Sequence, residues 1–381
     1  MKILISPQAF KESLSGMEAA QAIEEGILRV LPNARTTLVP IADGGDGTLE
    51  TLVATTGGTI QEATVADPLG RPITATWGAL GDGQTAMIEM SRASGLALLK
   101  EQERNPRITS TSGTGQLIME ALDYGFSKLI IGIGGSATND GGAGMAQALG
   151  VKLLDRNGTN LEPGGSSLKD LHQIDISNID SRIKTATIMV ATDVSNILCG
   201  PTGASAVYGP QKGATQSVIE ELDQCLNHFA HSIRDNLNVD IKSVPGSGAA
   251  GGLGAGLMAF LKADLRSGVD VVLDTLQIES YLDQVDLVIT GEGQMDYQTI
   301  FNKAPIGIAK RAQKKNIPVI AIVGSLGQGY EKVFDHGIDG VTSAVLAPMP
   351  LTKATDEAKS LLALAAERAI RLVEVGRNFN H

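Results

Sequence analysis

Residues Lys128–Gly144 read Lys-Leu-Ile-Ile-Gly-Ile-Gly-Gly-Ser-Ala-Thr-Asn-Asp-Gly-Gly-Ala-Gly, an apolar run that breaks into six glycines, two hydroxyls and one carboxylate. A short apolar run closed by turn formers is the pattern of a strand buried on both faces. Such strands belong to parallel sheets covered by helices. Glycine lets the backbone approach a ligand and point successive N–H groups at it, and the N-terminus of a following helix favours an anion. The stretch predicts a strand, a ligand loop and a helix, with phosphate as the ligand this chemistry suits.

Three further loops repeat the pattern. Ile41–Thr48 is Ile-Ala-Asp-Gly-Gly-Asp-Gly-Thr, Gly246–Gly256 is Gly-Ser-Gly-Ala-Ala-Gly-Gly-Leu-Gly-Ala-Gly, and Gly291–Asp296 is Gly-Glu-Gly-Gln-Met-Asp. Glycine supplies 45 of the 381 residues, where about 7% is usual. The excess gathers at predicted strand ends, as in a ligand site built from loops.

The length suits two domains, each with its own core. Hydrophobic residues at 43% and charged residues at 19% fit a soluble globular protein. No apolar run approaches the ~18 residues of a membrane span, and no signal peptide is evident, so neither a membrane partner nor export is expected and the cytoplasm is the default location. A net charge of −11 argues against nucleic acid, which needs a basic face. Cys199 and Cys225 lack the spacing of a zinc site or a disulfide framework.

Both ends of the chain alternate strand and helix. Ile3–Ser6 and Thr36–Val39 read as strands, and Ser15 with Glu18 forms a capping box before apolar residues at helical spacing. Asp286–Thr290, Val319–Val323 and Val341–Leu346 read as buried strands, with helices at Ile306–Lys315 and Thr355–Val375. The middle differs. Thr74–Leu80 and Thr85–Met90 flank Gly81-Asp82-Gly83 as a hairpin, and strands at Val151–Leu154 and Thr187–Ala191 precede a long helix, Gln216–Leu237. The expected fold is α/β: a parallel-sheet domain formed by both termini (1–75 and 284–381), an inserted mixed α/β domain (76–283), and a cleft between them.

Gly132-x-Gly134-x-x-Ala137 matches a dinucleotide fingerprint, with Asp155 at the distance of a ribose-binding acid. Gly246-x-Gly248-x-x-Gly251 matches equally, and Thr138–Gly142 is poor helix material, so hydride transfer by an NAD-dependent hydroxy-acid dehydrogenase is the minor reading. Six acids lie in or beside glycine loops: Asp43, Asp46, Asp140, Asp193, Glu292 and Asp296. Singly, each fits a turn or an N-cap; together, beside phosphate-cradling glycines, they suit Mg²⁺. Lys11, Lys212 and Lys303 lie where phosphate charge would need neutralising. Arg104 and Arg107 suit a substrate carboxylate or a loop salt bridge. The histidines all fall outside the glycine loops, so a general base would be an acid, as in kinases.

Phe10–Ser15, Ala42–Thr48, Ile88–Met90 with Ala93–Leu96, Thr109–Gly115, Gly132–Met145, Ala191–Val194, Tyr208–Ala214, Pro245–Gly256 and Ile289–Gly293 occur here in an order that resembles the bacterial glycerate kinases, in the type that includes glycerate 2-kinases. The resemblance runs nearly end to end. It implies a Rossmann-like domain completed by both termini around an inserted α/β domain. It also implies ATP- and Mg²⁺-dependent phosphorylation of D-glycerate at the 2-hydroxyl, in organic acid catabolism of the glyoxylate and glucarate type; transfer to the 3-hydroxyl is the alternative. On this reading Asp193 is the base and Lys11 and Lys303 neutralise charge. Substrate and phosphates are held by Ser13, Asp43, Gly44, Gly45, Gly134, Gly135, Ser136, Thr138, Asn139, Asp140, Gly141, Lys212, Gly291, Glu292 and Gly293. Asp43, Asp193 and Asp296 are the metal candidates. The chain departs from the usual family pattern at Gln8-Ala9, Gln294 and Asn302. A monomer or homodimer is expected.

Overall fold

A computed structural model describes residues 1–45, 47–301 and 303–378. Asp46, Asn302 and His381 lie outside the described residues. Along the chain the strands are β1 (Lys2–Pro7), β2 (Arg35–Leu38), β3 (Thr59–Ala66), β4 (Pro72–Ala79), β5 (Thr85–Glu89), β6 (Lys128–Gly132), β7 (Lys152–Leu154) and β8 (Gln173–Asp175). There follow β9 (Thr187–Ala191), β10 (Asp264–Arg266), β11 (Leu287–Gly291), β12 (Gln294–Met295), β13 (Val319–Val323), β14 (Ser325–Leu326) and β15 (Gly340–Ser343). Internal contacts divide the chain into two units, Met1–Thr56 with Val269–His381, and Gly57–Gly268.

The first unit carries a five-stranded sheet in the order β15-β13-β11-β1-β2, parallel throughout. β1 and β11 are buried along nearly their whole length, as parallel strands covered on both faces must be. Helix Gly16–Val30 starts on the expected capping box: Glu18 N–H donates to Ser15 Oγ (3.3 Å) and Ser15 N–H to Glu18 Oε2 (2.9 Å). Its apolar face, with Ile23 and Ile27, packs with Ile3, Ile5 and Ile289 and with Leu362, Ala366 and Ile370 of helix Ala358–Asn378. The chain leaves β1 toward β2 and leaves β11 toward β13, on the opposite side. The sheet order reverses between β1 and β11, and open α/β sheets bind ligands beyond the strand ends at such a point.

The second unit holds a six-stranded sheet, β10-β9-β6-β5-β4-β3. β5, β6, β9 and β10 run parallel; β3, β4 and β5 form an antiparallel meander at one edge. Trp77 anchors the core on this side, with the rings of Tyr124 and Phe126 edge-on at 5.3 and 5.4 Å. The division falls earlier at both ends than the expected 75 and 283. β3 pairs with β4 from Thr59–Ala79 to Ala66–Pro72, so the hairpin is inseparable from its sheet. Residues beyond Val269 belong to the first unit, where Arg311 binds Asp270 at 3.0 Å and Asp274 at 2.7 Å.

Candidate active site

Beyond the ends of β1, β11, β13 and β15 lies a cavity of about 470 Å³, within the range of small-molecule sites. Gln8–Ser13 follows β1, Glu292–Gln294 follows β11, Gly324 and Ser325 follow β13, and Ala344 and Val345 follow β15; Asp43 and Lys303 complete the polar side. Lys11, Ser13, Asp43, Glu292, Gly293 and Lys303, widely separated in sequence, therefore line one cavity. Neighbouring parallel strands all end at the same edge, and this is why they meet.

Glu292 is the acid this geometry distinguishes. The residue is 5% exposed. Thr299 Oγ1 donates to its Oε1 at 2.7 Å, and the same hydroxyl accepts the Asp296 N–H at 3.2 Å. A hydroxyl carries a single proton, so Thr299 commits Oε1 to accepting and leaves Oε2 as the oxygen able to hold a proton. Oε2 lies 3.8 Å from Lys303 Nζ. Burial pushes the carboxyl up to about 7, against the pull of Thr299 and Lys303 and with a further push from Asp296 and Asp43. A buried acid poised near neutrality is suited to taking a proton.

Asp43 Oδ1 accepts the Gly45 N–H at 3.1 Å, which folds Gly44 and Gly45 into a turn. Asp296 Oδ1 accepts the Gln298 N–H at 2.8 Å. Among the described residues no group of three or more His, Cys, Asp or Glu is placed to hold a metal. Asp43, lining the same cavity as Lys11 and with one oxygen turned to its own loop, fits a cation that brings most of its ligands as phosphate and water.

The second unit holds the remaining candidates, and most of the Gly132–Gly144 stretch is buried there. Gly134 and Gly135 are exposed; Ser136 through Gly144 are buried. Asp140 accepts from Thr111 N–H (2.8 Å), Thr111 Oγ1 (2.9 Å), Gly142 N–H (3.1 Å) and Gly144 N–H (3.2 Å), closing the start of helix Ala143–Ala148. Burial pushes its carboxyl up despite these bonds. Lys212 is fully enclosed, donates to Thr138 O at 2.7 Å, and is pushed down to about 7 by burial while Asp140 pulls it upward. Asn139 Nδ2 donates to Ser205 Oγ at 2.9 Å. Gly141 and Gly251 show why glycine is needed: a Cβ would lie 2.7 Å from the Phe229 ring at Gly141 and 1.9 Å from Thr138 O at Gly251. The Gly141 N–H donates to Gly251 O at 3.0 Å and joins the two glycine loops, while Thr138 Oγ1 and Asn139 Oδ1 are buried without a partner among the described residues. Gly291 is likewise structural, since a Cβ there would lie 2.0 Å from Ile322 O. Asp193 follows β9, is exposed, and accepts the Gly268 N–H at 3.1 Å.

The dinucleotide fingerprints lack their context. The helix after Gly132–Ala137 starts only at Ala143, and Ala250, Gly251 and Gly252 are all left-handed, at φ 53°, 68° and 89°. The glycerate kinase family model matches residues 3–374. The chain belongs to the glycerate kinase family. It is therefore an enzyme of the kinase class. It is 51% identical to a glycerate kinase of Halalkalibacterium halodurans, over 99% of this chain and 98% of that one. It is 50% identical to a glycerate 2-kinase of Escherichia coli, over 99% of both. A crystal structure described as a glycerate kinase 2 from Salmonella typhimurium superposes with a TM-score of 0.92 at 47% identity, covering 99% of each chain.

Sequence reasoning missed two parts of the first unit's site in this family member. Thr299 has no motif to mark it, although it orients Glu292. The aliphatic lining comes from Leu351, Ala354 and Ala358 with Leu361 and Leu362. Ala354 and Ala358 are four residues apart in sequence, a spacing that reads as ordinary core.

Proposed function

We propose that this chain transfers the γ-phosphoryl group of ATP to the 2-hydroxyl of D-glycerate, giving 2-phospho-D-glycerate and ADP. Family membership supports the substrate pair, and the Escherichia coli relative's name supports the 2-position. The observation that carries the chemistry is Glu292: a buried carboxyl whose Oε1 is committed to Thr299 and whose Oε2 faces Lys303. As the 2-oxygen bonds to the γ-phosphorus, the bond from that phosphorus to the ADP oxygen breaks and the hydroxyl proton passes to Glu292 Oε2. Lys303 and Lys11 offset the phosphate charge, the main task in phosphoryl transfer. Asp43 would help hold Mg²⁺, which when bound neutralises phosphate oxygens. We assign the proton to Glu292 instead of Asp193, because a buried acid near neutrality accepts it more readily than an exposed one. The exposed Gly134 and Gly135 remain proposed phosphate contacts, and the exposed Asp193 a proposed metal ligand. Both cysteines are free and buried, in keeping with a reducing compartment, and we place the enzyme in the cytoplasm. No helix among the described residues is long and apolar enough to cross a membrane.

Phosphorus NMR of a mixture of enzyme, ATP, Mg²⁺ and D-glycerate tests the reading. A secondary phosphate ester at carbon 2 is expected. A primary ester would move the reaction to the 3-hydroxyl, and no phosphoglycerate at all would overturn the assignment.

A further inference from the structure

Resting on that reading, we propose that the wall formed by Leu351, Ala354, Ala358 and Leu362 is the adenine subsite, so that the nucleotide lies along the carboxyl-terminal helices with its phosphates toward Lys11 and Lys303. The cavity has two kinds of lining. Lys11, Ser13, Asp43, Glu292 and Lys303, from strand ends and loops, are polar; the helical residues are aliphatic, as are Ala344 and Val345, and Ser13 Oγ, which donates to Thr355 O at 3.5 Å, marks where the two kinds of lining meet. Every carbon of glycerate bears oxygen, so a bare aliphatic surface offers that molecule nothing and would strip water from its polar groups at a cost. A purine has two apolar faces, and burying them against such a surface is favourable at about 25 cal/mol per Å².

Size agrees. About 470 Å³ lies in the range of about 300–1,000 Å³ that holds drug-sized ligands, more than a three-carbon acid fills. Ala354 and Ala358, on the successive helices Leu351–Asp356 and Ala358–Asn378, carry only methyl groups, which leaves room for a flat ring; Leu351 is 74% exposed. The helical wall and the lysines bound the same cavity, so a base against the one and a phosphate chain at the other belong to one molecule. Glu12, Asp43 and Glu292 also face this space, and the nucleotide therefore enters as its divalent-cation complex.

Ala354→Phe and Ala358→Phe test the assignment. Both positions are only partly buried, so a larger side chain projects into the cavity without disturbing the core. Calorimetric titration with Mg·ATP, without glycerate, should show Kd raised at least tenfold in each variant, while inorganic tripolyphosphate, which has triphosphate charge but no base, binds as to the unaltered enzyme. Equal weakening of both ligands would place the phosphates on this wall and overturn the proposal. Unchanged ATP affinity with a raised KM for glycerate would assign the wall to the acceptor and overturn it too. The titrations need no acceptor, so ATP affinity lost in the variants of a chain that phosphorylates some other acid would uphold the subsite while refuting the reaction.

Discussion

Glu292→Gln should make this protein more stable and less active. Burial holds the Glu292 carboxyl at about 7 in the folded chain against 4.5 in its absence. The folded state therefore keeps a proton that the unfolded state releases, and stability falls as pH rises from 4.5 to 7. A difference of about 2.5 units at 1.36 kcal/mol each is about 3 kcal/mol of destabilisation, fully present above pH 7. At pH 5 the same linkage leaves about 1 kcal/mol. Glutamine keeps the acceptor for Thr299 and carries no charge, so it escapes this cost. Urea unfolding at pH 5 and pH 8, with and without the substitution, is the measurement. The variant should gain about 3 kcal/mol over the parent at pH 8 and about 1 at pH 5. A variant less stable than the parent at pH 8, or one whose gain is the same at both values, would refute the burial argument.

The same substitution should lower kcat by about 10²–10⁴, the usual contribution of a positioned base, whereas Asp193→Asn should lower it far less; the reverse order in steady-state assays would return the base to Asp193. Thr299→Val removes a bond that favours the carboxylate, worth about 1.5–3 kcal/mol for a charged acceptor. The acid limb of the kcat/KM profile should then move from near 7 upward by about 1–2 units, and a limb that stays put or moves down would count against Glu292. Asp140→Ala leaves four buried donors without their acceptor and should cost at least about 3 kcal/mol in thermal or urea unfolding, with a near-neutral result restoring the loop to ligand binding. Ser15→Ala should cost about 1 kcal/mol through loss of the helix cap, visible as a lower urea midpoint.

The local elements of this chain were legible without its structure. Thr187–Ala191 and Gln216–Leu237 read as strand and helix with the limits the structure gives them, and the Ser15–Glu18 cap was readable from its spacing. Each depends on residues a few positions apart, where periodicity and capping act. The single helical pattern at Thr355–Val375 proved to be two helices, Leu351–Asp356 and Ala358–Asn378, because a break between turns leaves the apolar spacing almost unchanged.

What the sequence determined alone is the order of strands and helices, the glycine loops at strand ends, and hence the sheet edge carrying Lys11, Asp43 and Glu292. Tertiary packing decided which of those loops meets solvent. Gly134 and Gly135 are open, whereas Gly141 and Gly142 press against Phe229 and Leu253. It also brought Thr299 to Glu292 and set Ala354 and Ala358 in the same cavity as the lysines. A glycine needed for close packing and one needed for a ligand look identical in a sequence, because both answer the same steric demand, and only the neighbour that fills the space tells them apart.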